Sequence, residues 1–393
     1  MFFDIVIVGG GLVGASLACA LRDLPLKIAL IDQKPAPHQT EIADNRALAL
    51  SFSSIQCLKT LNLWSKIAEQ AFPLQTVQVS KQGYWGVAEI DAKTEGLSAL
   101  GAVVNAGFFN TILSDALQTI GNVHIFQPDE IIGWEKSLNT VEIELKSKNH
   151  CSTQLVVGAD GVNSVVRRLE GIGIKNVEYA EIAIVGNVMA TKSRPTMAFE
   201  RFLGNGSIAM LPFGENGFKS VWILANSLRA EWLALSDAEY LERLQTVFGY
   251  RLGELSHLGK RDVYPLRAVS AEAIDGDRFV LIGNAANTLH PVAAQGFNLG
   301  LRDVAYLAET ISLTMALKEE MGGIKMRRAY REHRRLDHQW IKTFTHQLAT
   351  PSLLQWLGIL GTESISVLKK QIVLGALGQN QPLPKLCRGV SLV

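Results

Sequence analysis

Residues 4–32 read DIVIVGGGLVGASLACALRDLPLKIALID, and this stretch decides the fold. The apolar, β-branched run 5–8 predicts a strand that is buried on both faces. Gly9, Gly11 and Gly14 follow at G-x-G-x-x-G spacing, residues 12–21 continue at helical spacing, and residues 27–31 predict a second buried strand that ends at Asp32. A glycine-rich unit between a strand and a helix, closed by an acidic residue, predicts dinucleotide binding.

Each residue type in this unit has a physical role. The first glycine allows the tight turn, the second lets the backbone approach a pyrophosphate, and the third lets helix and strand pack closely. The free N–H groups of the first helical turn, at Leu12 and Val13, would hold the diphosphate. Asp32, eighteen residues after Gly14, would accept hydrogen bonds from an adenosine ribose. This unit alone does not separate FAD from NAD, and a merely structural glycine-rich turn is the alternative.

Length and composition exclude several classes of protein. A chain of 393 residues predicts two or three domains or one large composite, and 48% hydrophobic residues allow a sizeable core. A net charge of +1 argues against nucleic-acid binding. The four cysteines are far apart and contain no C-x-x-C pair, so neither a disulfide framework nor a zinc site is expected, and a reducing compartment is indicated. No run of about twenty apolar residues occurs, and we expect a cytoplasmic protein.

Two later stretches repeat the strand–turn–helix pattern. Residues 155–167, LVVGADGVNSVVR, predict a buried strand that ends at Asp160 and would face the ligand crevice of an open α/β sheet. Residues 278–303 predict a strand that stops at Gly283 and a helix that begins near Gly296, with its positive end toward the same crevice. Arg46 could reach the cofactor phosphates or could be an ordinary solvated loop arginine. His290 lies in the cofactor loop and is not expected to act as a base.

The remaining regions are less informative. Residues 181–265 predict a second, mainly β-sheet domain with one helix at 237–248, in which Phe213 and Trp222 belong either to the core or to a substrate pocket. The tail from residue 325 is predicted to be helical, and its arginines 327, 328, 331, 334 and 335 predict a solvated face. Docking of these arginines to acidic lipid or to a partner is the alternative. The apolar stretch 353–377 could seal the core or contact a partner or a membrane surface.

Three motifs stand in order: GGGLVG, GADGVNSVVR and LIGNAANTLHPVAAQGFNLGLRD. Together they resemble the FAD-dependent aromatic hydroxylases, the 4-hydroxybenzoate hydroxylase-like flavoproteins, over almost the whole chain. The resemblance implies an α/β fold, in which a Rossmann-like FAD-binding domain of the GR2 type carries an inserted antiparallel β-sheet substrate domain and a C-terminal helical tail. The implied FAD-binding domain comprises residues 1–73, 100–180 and 266–320, the substrate domain residues 74–99 and 181–265, and the helical region residues 321–393.

The resemblance also implies the site residues. NAD(P)H would serve as reductant without a Rossmann domain of its own, O₂ would be the co-substrate, and no catalytic side chain or metal ligand is implied. Phe213, Trp222 and Pro291 are expected near the substrate. The implied FAD contacts are Gly9, Gly11, Leu12, Val13, Gly14, Asp32, Arg46, Asp160, Gly283, Asn284, Pro291, Gln295, Gly296, Phe297 and Asn298.

Within the family, residues 198–213 and 247–266 look like the ubiquinone-biosynthesis branch, as does Asn284, where most relatives carry Asp. The implied reaction is hydroxylation of the ring of 2-polyprenyl-6-methoxyphenol: NAD(P)H reduces FAD, O₂ forms a C4a-hydroperoxide, and the ring attacks its distal oxygen. Asn287 and Ala294 depart from the His and Gly of the wider family, which predicts altered flavin affinity.

The partners implied are a prenylated phenol and a membrane surface or biosynthetic complex. Two rival functions remain open, namely a hydroxylase of a small soluble aromatic acid and a non-catalytic flavoprotein subunit of a lipid-modifying complex.

Overall fold

The computed structural model describes residues 1–36, 44–84, 86–290, 295–349, 374–375, 377–379 and 382–393. Within these ranges the strands form three sheets of eight, nine and three strands. The strands are β1 (Phe2–Val8), β2 (Ile28–Ile31), β3 (Ala47–Ser51), β4 (Phe72–Leu74), β5 (Thr76–Lys81), β6 (Val87–Asp91), β7 (Gly101–Asn105), β8 (Val123–Phe126), β9 (Ile131–Lys136), β10 (Val141–Leu145), β11 (His150–Gly158), β12 (Ile174–Ala190), β13 (Met197–Phe202), β14 (Ser207–Pro212), β15 (Gly217–Ala225), β16 (Leu255–Leu258), β17 (Asp262–Ala271), β18 (Asp275–Gly276), β19 (Phe279–Leu281) and β20 (Asn287–Thr288).

The described helices connect and cover these sheets, and short 3₁₀ turns supplement them at Ala68–Gln70, Asn226–Leu228, Gly283–Ala285 and Lys385–Arg388. The α-helices are α1 (Leu12–Ala20), α2 (Phe52–Thr60), α3 (Trp64–Ile67), α4 (Ala106–Leu117), α5 (Val165–Leu169), α6 (Arg229–Ala234), α7 (Asp237–Phe248), α8 (Gln295–Ala316) and α9 (Ile324–Ala349).

The first sheet carries the dinucleotide-type unit. Its central strands β19, β11, β1, β2 and β8 are parallel neighbours in that order, while β18 and the β9–β10 pair extend it with antiparallel partners. Both faces of β1 are buried, because Ile5 and Ile7 enter one core with α1 and α8 whereas Val6 and Val8 enter another. The predicted α/β fold class is confirmed.

The second sheet is mainly antiparallel and has two different faces. Strands β20, β17, β12, β15, β14, β13, β5 and β6 follow one another in it. Phe199 and Trp222 on one face join the core formed with α6 and α7. Ala198 and Leu211 on the opposite face pack with Val103 of the third sheet, whose strand order is β3, β7, β4. This inner face is therefore turned toward the first part of the chain.

The ladder between β12 and β17 extends past the expected domain limits at residues 181 and 265. Ile174 pairs with Ala271 at one end, and Val185 pairs with Asp262 at the other. The pairing shifts register between Glu178 and Ile182, opposite Arg267 and Pro265, so an irregularity in the ladder lies at these expected limits. The division into domains stays a prediction.

Helix α9 corrects the expectation for the arginine-rich tail. Arg328, Arg331 and Arg335 are exposed, but the side chain of Arg334 is 0% exposed. Arg334 pairs with Asp303 of α8 at 2.7 Å and with Asp337 at 2.8 Å. The predicted solvated face was therefore wrong for Arg334, because α9 packs this side against α8 and supplies carboxylate partners there.

Two further expectations concern the tail and membranes. The stretch 353–377, which was expected to seal the core or to contact a partner or a membrane surface, lies mostly outside the described residues. Among the residues that the structure describes, no helix combines the length and the apolar character needed to cross a bilayer.

Candidate functional site

Four turns lie at one edge of the first sheet. Gly9, Asp32, Asp160 and Gly283 each follow the carboxyl end of a parallel strand, and their strands are neighbours. In open α/β sheets the ligand crevice lies at this edge. These turns are far apart in the sequence, and the order of the strands in the sheet brings them together.

The first turn is built on backbone contacts that only glycine allows. Gly9 has φ +103°, and a Cβ there would lie 2.6 Å from the carbonyl oxygen of Ala159. A Cβ on Gly14 would lie 1.9 Å from the carbonyl oxygen of Gly9. By contrast, a Cβ on Gly11 would meet no atom within 4 Å. The turn is therefore tight behind the helix and open in front of it.

Helix α1 begins in this open space. Gly11 is its N-cap, no side chain caps it, and Leu12 and Val13 are its first two residues. Its first N–H groups and the positive end of its dipole suit an anionic group. Val13 also fills the space beside Gly283 and Gly300, where an added Cβ would lie 3.0 Å and 2.9 Å from its methyl carbon. Residue 13 thus joins the first turn to the later loop.

Asp32 stands at the end of β2. Its Oδ2 accepts a hydrogen bond from the Gly10 N–H at 2.6 Å, and its Oδ1 accepts one from the Lys34 N–H at 2.8 Å. The carboxylate is therefore oriented by backbone donors beside the glycine turn. Each carboxylate oxygen can accept a further bond, which is what a ribose diol requires.

Two residues beside the crevice, Asp160 and Gln295, each have a buried oxygen that lacks a hydrogen-bond partner among the described residues. Asp160 uses Oδ2 to accept from the N–H groups of Val165 at 2.6 Å and Val166 at 3.2 Å, at the start of α5, but its Oδ1 has no partner. Burial raises the pKa of Asp160 above its ordinary value. Gln295, the first residue of α8, has a buried Oε1 without a partner. Unpaired buried acceptors are costly and call for a donor from a bound group.

The loop between β19 and α8 and the start of that helix contain an exposed residue, a glycine without close neighbours and a packed aromatic ring. Gly283 has φ +58°, and Asn284 next to it is exposed. Gly296 has no atom within 4 Å of an added Cβ, so the start of α8 is open as well. Phe297 packs its ring edge-on against Phe109, with centroids 5.5 Å apart. The predicted contacts at Pro291 and the departure at Ala294 lie outside the described residues.

Asn298 already has a structural task. Its Nδ2 donates to the carbonyl oxygen of Ala49 at 2.9 Å, and its Oδ1 accepts from the Ser51 N–H at 2.9 Å and from Ser54 Oγ at 2.8 Å. These bonds tie the start of α8 to β3 and α2. For this residue the structure supports a positioning role for the crevice wall.

Arg46 lies just before β3 and pairs with Asp44 at 2.6 Å. About half of its side chain is exposed, so the guanidinium has room to approach a ligand. A phosphate contact for Arg46 stays a prediction, and the ion pair with Asp44 is the competing arrangement.

On the inner face of the second sheet, near Phe213, lies a buried cation. The Lys219 ammonium donates to the backbone carbonyl and to the side-chain Oδ1 of Asn45, and it lies 4.6 Å from the centre of the Phe213 ring. Burial lowers the pKa of Lys219 to about 8. Within the described part of the chain, no carboxylate forms an ion pair with it.

Strand register also places Glu200 on this face. Glu200 pairs with Ala209, which pairs in turn with Val221, two residues from Lys219. Directly paired residues, and residues two apart on one strand, share a face. Burial raises the pKa of Glu200 to about 7. Sequence reasoning missed both residues, although a charged side chain at an inward position of an alternating strand would have been the signal.

Trp222 lies on the opposite face. Its ring packs 4.4 Å from that of Trp232 and 5.7 Å from that of Tyr240, centre to centre. Because neighbouring residues of a strand point to opposite faces, Trp222 cannot share the face of Lys219. The predicted substrate contact of Trp222 is therefore withdrawn, and the residue is assigned to the core.

Sequence reasoning also missed a buried polar cluster behind the crevice. Asp303 of α8 accepts a hydrogen bond from the Gly283 N–H at 2.9 Å and contacts Arg334 and His338 of α9. The spacing of Arg334, Asp337 and His338, which places them on one side of a helix, was the available signal.

The site suits a dinucleotide cofactor. Two helices, α1 and α8, begin at open glycine positions, and a carboxylate fixed by backbone donors stands beside the first turn. The unpaired oxygens of Asp160 and Gln295 require donors. A flavin dinucleotide supplies a diphosphate for the helix N-termini and hydroxyl groups for the acceptors, so FAD fits these residues.

Comparisons with known proteins agree with this geometry. The family model described as "FAD binding domain" matches residues 3–342. A protein named ubiquinone hydroxylase UbiL, from Rhodospirillum rubrum, is 31% identical over 99% of this chain and 93% of its own length. A protein named 3-demethoxyubiquinol 3-hydroxylase, from Escherichia coli, is 28% identical over 95% of this chain and 98% of its own.

Solved structures show the same fold. PqsL from Pseudomonas aeruginosa, in complex with 2-aminobenzoylacetate, superposes with a TM-score of 0.79 at 19% identity, over 92% of this chain and 100% of that chain. The p-nitrophenol 4-monooxygenase PnpA from Pseudomonas putida gives a TM-score of 0.76 at 18% identity, over 96% and 98% of the two chains. The chain therefore belongs to the FAD-binding family of flavin-dependent aromatic-ring monooxygenases.

Proposed function

We propose that the protein hydroxylates the aromatic ring of a polyprenylated methoxyphenol in ubiquinone biosynthesis, with FAD as cofactor, NAD(P)H as reductant and O₂ as co-substrate. The observation that carries the proposal is similarity over almost the full length to a protein named ubiquinone hydroxylase, at 31% identity, and to one named 3-demethoxyubiquinol 3-hydroxylase, at 28%. The crevice at the edge of the first sheet supports the cofactor assignment. The resemblance of residues 198–213 and 247–266 to the ubiquinone-biosynthesis branch supports the choice of ring.

The chain's residues would hold the cofactor along the crevice. The N-terminus of α1 at Gly11 receives the diphosphate, and Asp32 accepts from the adenosine ribose. Asp160 and Gln295 supply acceptors for hydroxyl or N–H groups, and the open N-terminus of α8 at Gly296 stabilises negative charge on the isoalloxazine. When bound, FAD supplies the redox chemistry, taking electrons from the nicotinamide and activating O₂.

The protein must also accept the proton of the phenol hydroxyl, because a phenolate ring is a better nucleophile than a phenol. Glu200, whose pKa burial raises to about 7, is suited to accept this proton near neutral pH. Lys219 keeps a positive charge on the same face, where it stabilises a nearby anion. We assign Glu200 as the base and Lys219 as the stabilising cation, with the Phe213 ring beside the cation.

The first test is a visible spectrum of the purified protein, followed by NADPH oxidation with and without a prenylated methoxyphenol. The proposal expects a yellow protein whose NADPH oxidation rises with the phenol and whose product gains one oxygen by mass. If oxidation rises only with a small aromatic acid, the substrate assignment is wrong. If NADPH never bleaches the bound FAD, a non-catalytic flavoprotein subunit is the better reading.

A further inference from the structure

A buried polar cluster joins α9 to the loop that follows β19. The side chains of Asp303, Arg334 and His338 are at most 5% exposed. Asp303 uses Oδ2 to accept from the Gly283 N–H at 2.9 Å, and its Oδ1 contacts Arg334 Nε and His338 Nε2, each at 2.7 Å. One carboxylate thus connects the first residue of the loop to α9.

A second connection reaches the same loop through His338. The other ring nitrogen, Nδ1, lies 3.0 Å from Nδ2 of Asn287. Asn287 is 3% exposed, and its backbone pairs with Ser270 in the second sheet. Asn287 is also the position where the family resemblance implies His, and here it has a partner in the structure. We call Asn287, His338 and Asp303 the loop clamp.

Hydrogen bonding assigns the protonation state of the clamp. Nε2 of His338 faces a carboxylate and carries a proton, so Nδ1 of the neutral ring accepts from the Asn287 amide. Both ring nitrogens are satisfied when the imidazole is neutral. A second proton on Nδ1 would oppose the N–H of Asn287, so the amide would have to turn over to keep a hydrogen bond.

The charges around His338 also favour the neutral ring. Asp303 faces it from α8, and Arg334 and Asp337 face it from its own helix. Arg302 pairs with Asp337 at 2.8 Å, so two arginines balance two aspartates when His338 is neutral. Burial, reinforced by Arg334 and opposed by the two aspartates, lowers the pKa of His338. An extra proton would leave one uncompensated positive charge in the interior.

The packing of α9 on α8 does not explain why the loop clamp also contacts Gly283 and Asn287. An ion pair between α8 and α9 needs only Asp303 and Arg334, yet the clamp continues to Gly283 and Asn287, which belong to the loop beside the crevice. Gly283 also contacts Val13 in the first turn of α1. A shift at Gly283 would therefore reach the first turn of α1, whose N-terminus would receive FAD, and Gly300 of α8.

We propose that Asn287, His338 and Asp303 are positioning residues that hold the backbone from Gly283 to Asn287 in its FAD-binding arrangement only while the His338 imidazole is neutral. This inference deepens the proposed function, since it rests on FAD binding at the crevice. Acidification through the range in which a free histidine titrates then weakens FAD binding, because the FAD-free protein can take up a proton that the FAD-bound arrangement excludes.

The test is the FAD dissociation constant of the full-length protein at pH 7.5 and pH 5.5, from titration of the flavin-free form with FAD. For the wild type we expect affinity to fall about tenfold over this range, within the limit that linkage to one proton sets. His338→Gln keeps a donor and an acceptor but cannot titrate, so its affinity should change less than about twofold. Asn287→Asp places an acceptor against Nδ1 and should abolish or reverse the loss on acidification.

The matched control is His333→Gln on the same helix. His333 is exposed and stacks on Tyr306 with ring centres 5.4 Å apart, outside the clamp. This variant should keep the pH dependence of the wild type. Carboxylates of the FAD site that titrate in acid affect all variants alike, so the difference between the two histidine variants isolates His338.

Stability measured beside affinity separates positioning from a merely structural role. If His338→Gln lowers the melting temperature but keeps the tenfold pH effect on FAD affinity, the proposal is wrong. Equal pH profiles for His338→Gln and His333→Gln also overturn it. A wild-type protein that takes up no FAD overturns the function and this inference together, whereas a failure to hydroxylate phenols leaves the result on FAD affinity standing.

Discussion

The turn after β1 and the loop after β19 perform the same task by different means. Each brings the end of a parallel strand to the N-terminus of a helix beside the crevice. The first is held by close backbone contacts among Gly9, Gly14 and Ala159, with no charged side chain in those contacts. The second is held by buried ionic side chains on α8 and α9, up to 51 residues from the loop position that they contact. A turn that packs against backbone depends on the absence of side chains, whereas a loop held by buried charged side chains depends on which partners those side chains meet.

Gly14→Ala should break the first arrangement most severely. The added methyl carbon would lie 1.9 Å from the Gly9 carbonyl oxygen, so the turn or the helix must move. We expect a loss of about 5 kcal/mol in the free energy of unfolding, at the extreme of single substitutions, and no FAD uptake. Urea unfolding and flavin absorbance measure the two effects.

Gly11→Ala is the matched control for the first turn. Its Cβ meets no atom within 4 Å, so the fold should keep its stability while FAD affinity falls. Equal unfolding midpoints for the two variants would contradict the backbone-contact account.

Asp303→Asn should break the second arrangement. It leaves Arg334 buried without its shortest carboxylate contact, which costs about 3–4 kcal/mol in unfolding free energy. His338 and Arg334 hold the pKa of Asp303 below its ordinary value against the opposing effect of burial. The stabilisation is therefore present above the ordinary aspartate range and lost as the pH falls, so the difference between wild type and variant should narrow in acid.

A double variant sharpens this test. Asp303→Asn with Arg334→Met removes both charges, and we expect it to regain at least half of the lost stability. Glu332→Gln, at an exposed pair with Arg335, should change stability by less than about 0.5 kcal/mol. A double variant no more stable than Asp303→Asn would count against the ion pair.

Glu200→Gln tests the second sheet, where the strand register places Glu200 on the same face as Lys219. We expect kcat/KM to fall about tenfold to a hundredfold, with FAD affinity unchanged, because a general base contributes on this scale. The wild-type rate should rise with pH through about 7, where Glu200 loses its proton, and this limb should vanish in the variant. Glu89→Gln on the exposed side of β6 is the control, and an unchanged pH profile for Glu200→Gln would remove Glu200 as the base.

The pH dependence of the free energy of unfolding is a second test of Glu200, independent of activity. Because the folded-state pKa of Glu200 is raised, the wild type loses stability as the pH rises from the ordinary glutamate range to about 7. Glu200→Gln should therefore be equally or more stable than wild type at pH 8, while its activity falls. A variant that is both inactive and unstable at pH 8 would point to a structural role.

The smallest expected effect is the pH dependence of stability at His338. Its pKa is lowered in the folded protein, so the unfolded chain takes up the proton first and stability falls as the pH drops below about 6.5. His338→Gln should flatten this decline by about 1 kcal/mol between pH 7 and pH 5.5. Melting curves of the FAD-saturated proteins measure it, and parallel curves for the two proteins would exclude a buried neutral His338 in the FAD-binding arrangement.

The pattern of residues along short stretches predicted those elements whose structure depends mainly on neighbouring residues in the chain. The strand, glycine turn and helix of residues 5–21 were predicted because buried strands and close turns restrict residue type at each position. The same reasoning located the turns at Asp160 and Gly283. The same reasoning could not predict on which face of the second sheet Trp222 lies. An aromatic residue suits either face of a strand, and the face is decided by how β15 pairs with β14 in the folded sheet.

The sequence by itself determined the α/β class, the order of the three crevice motifs and the family, because glycine and acidic residues at these spacings have few other uses. Only the tertiary structure decided that Arg334 is buried, that Asn287 meets His338, and that Glu200 and Lys219 share the inner face. These are contacts between residues far apart in the chain. Their energies depend on burial and on exact partners, and neither quantity is a property of a local stretch of sequence.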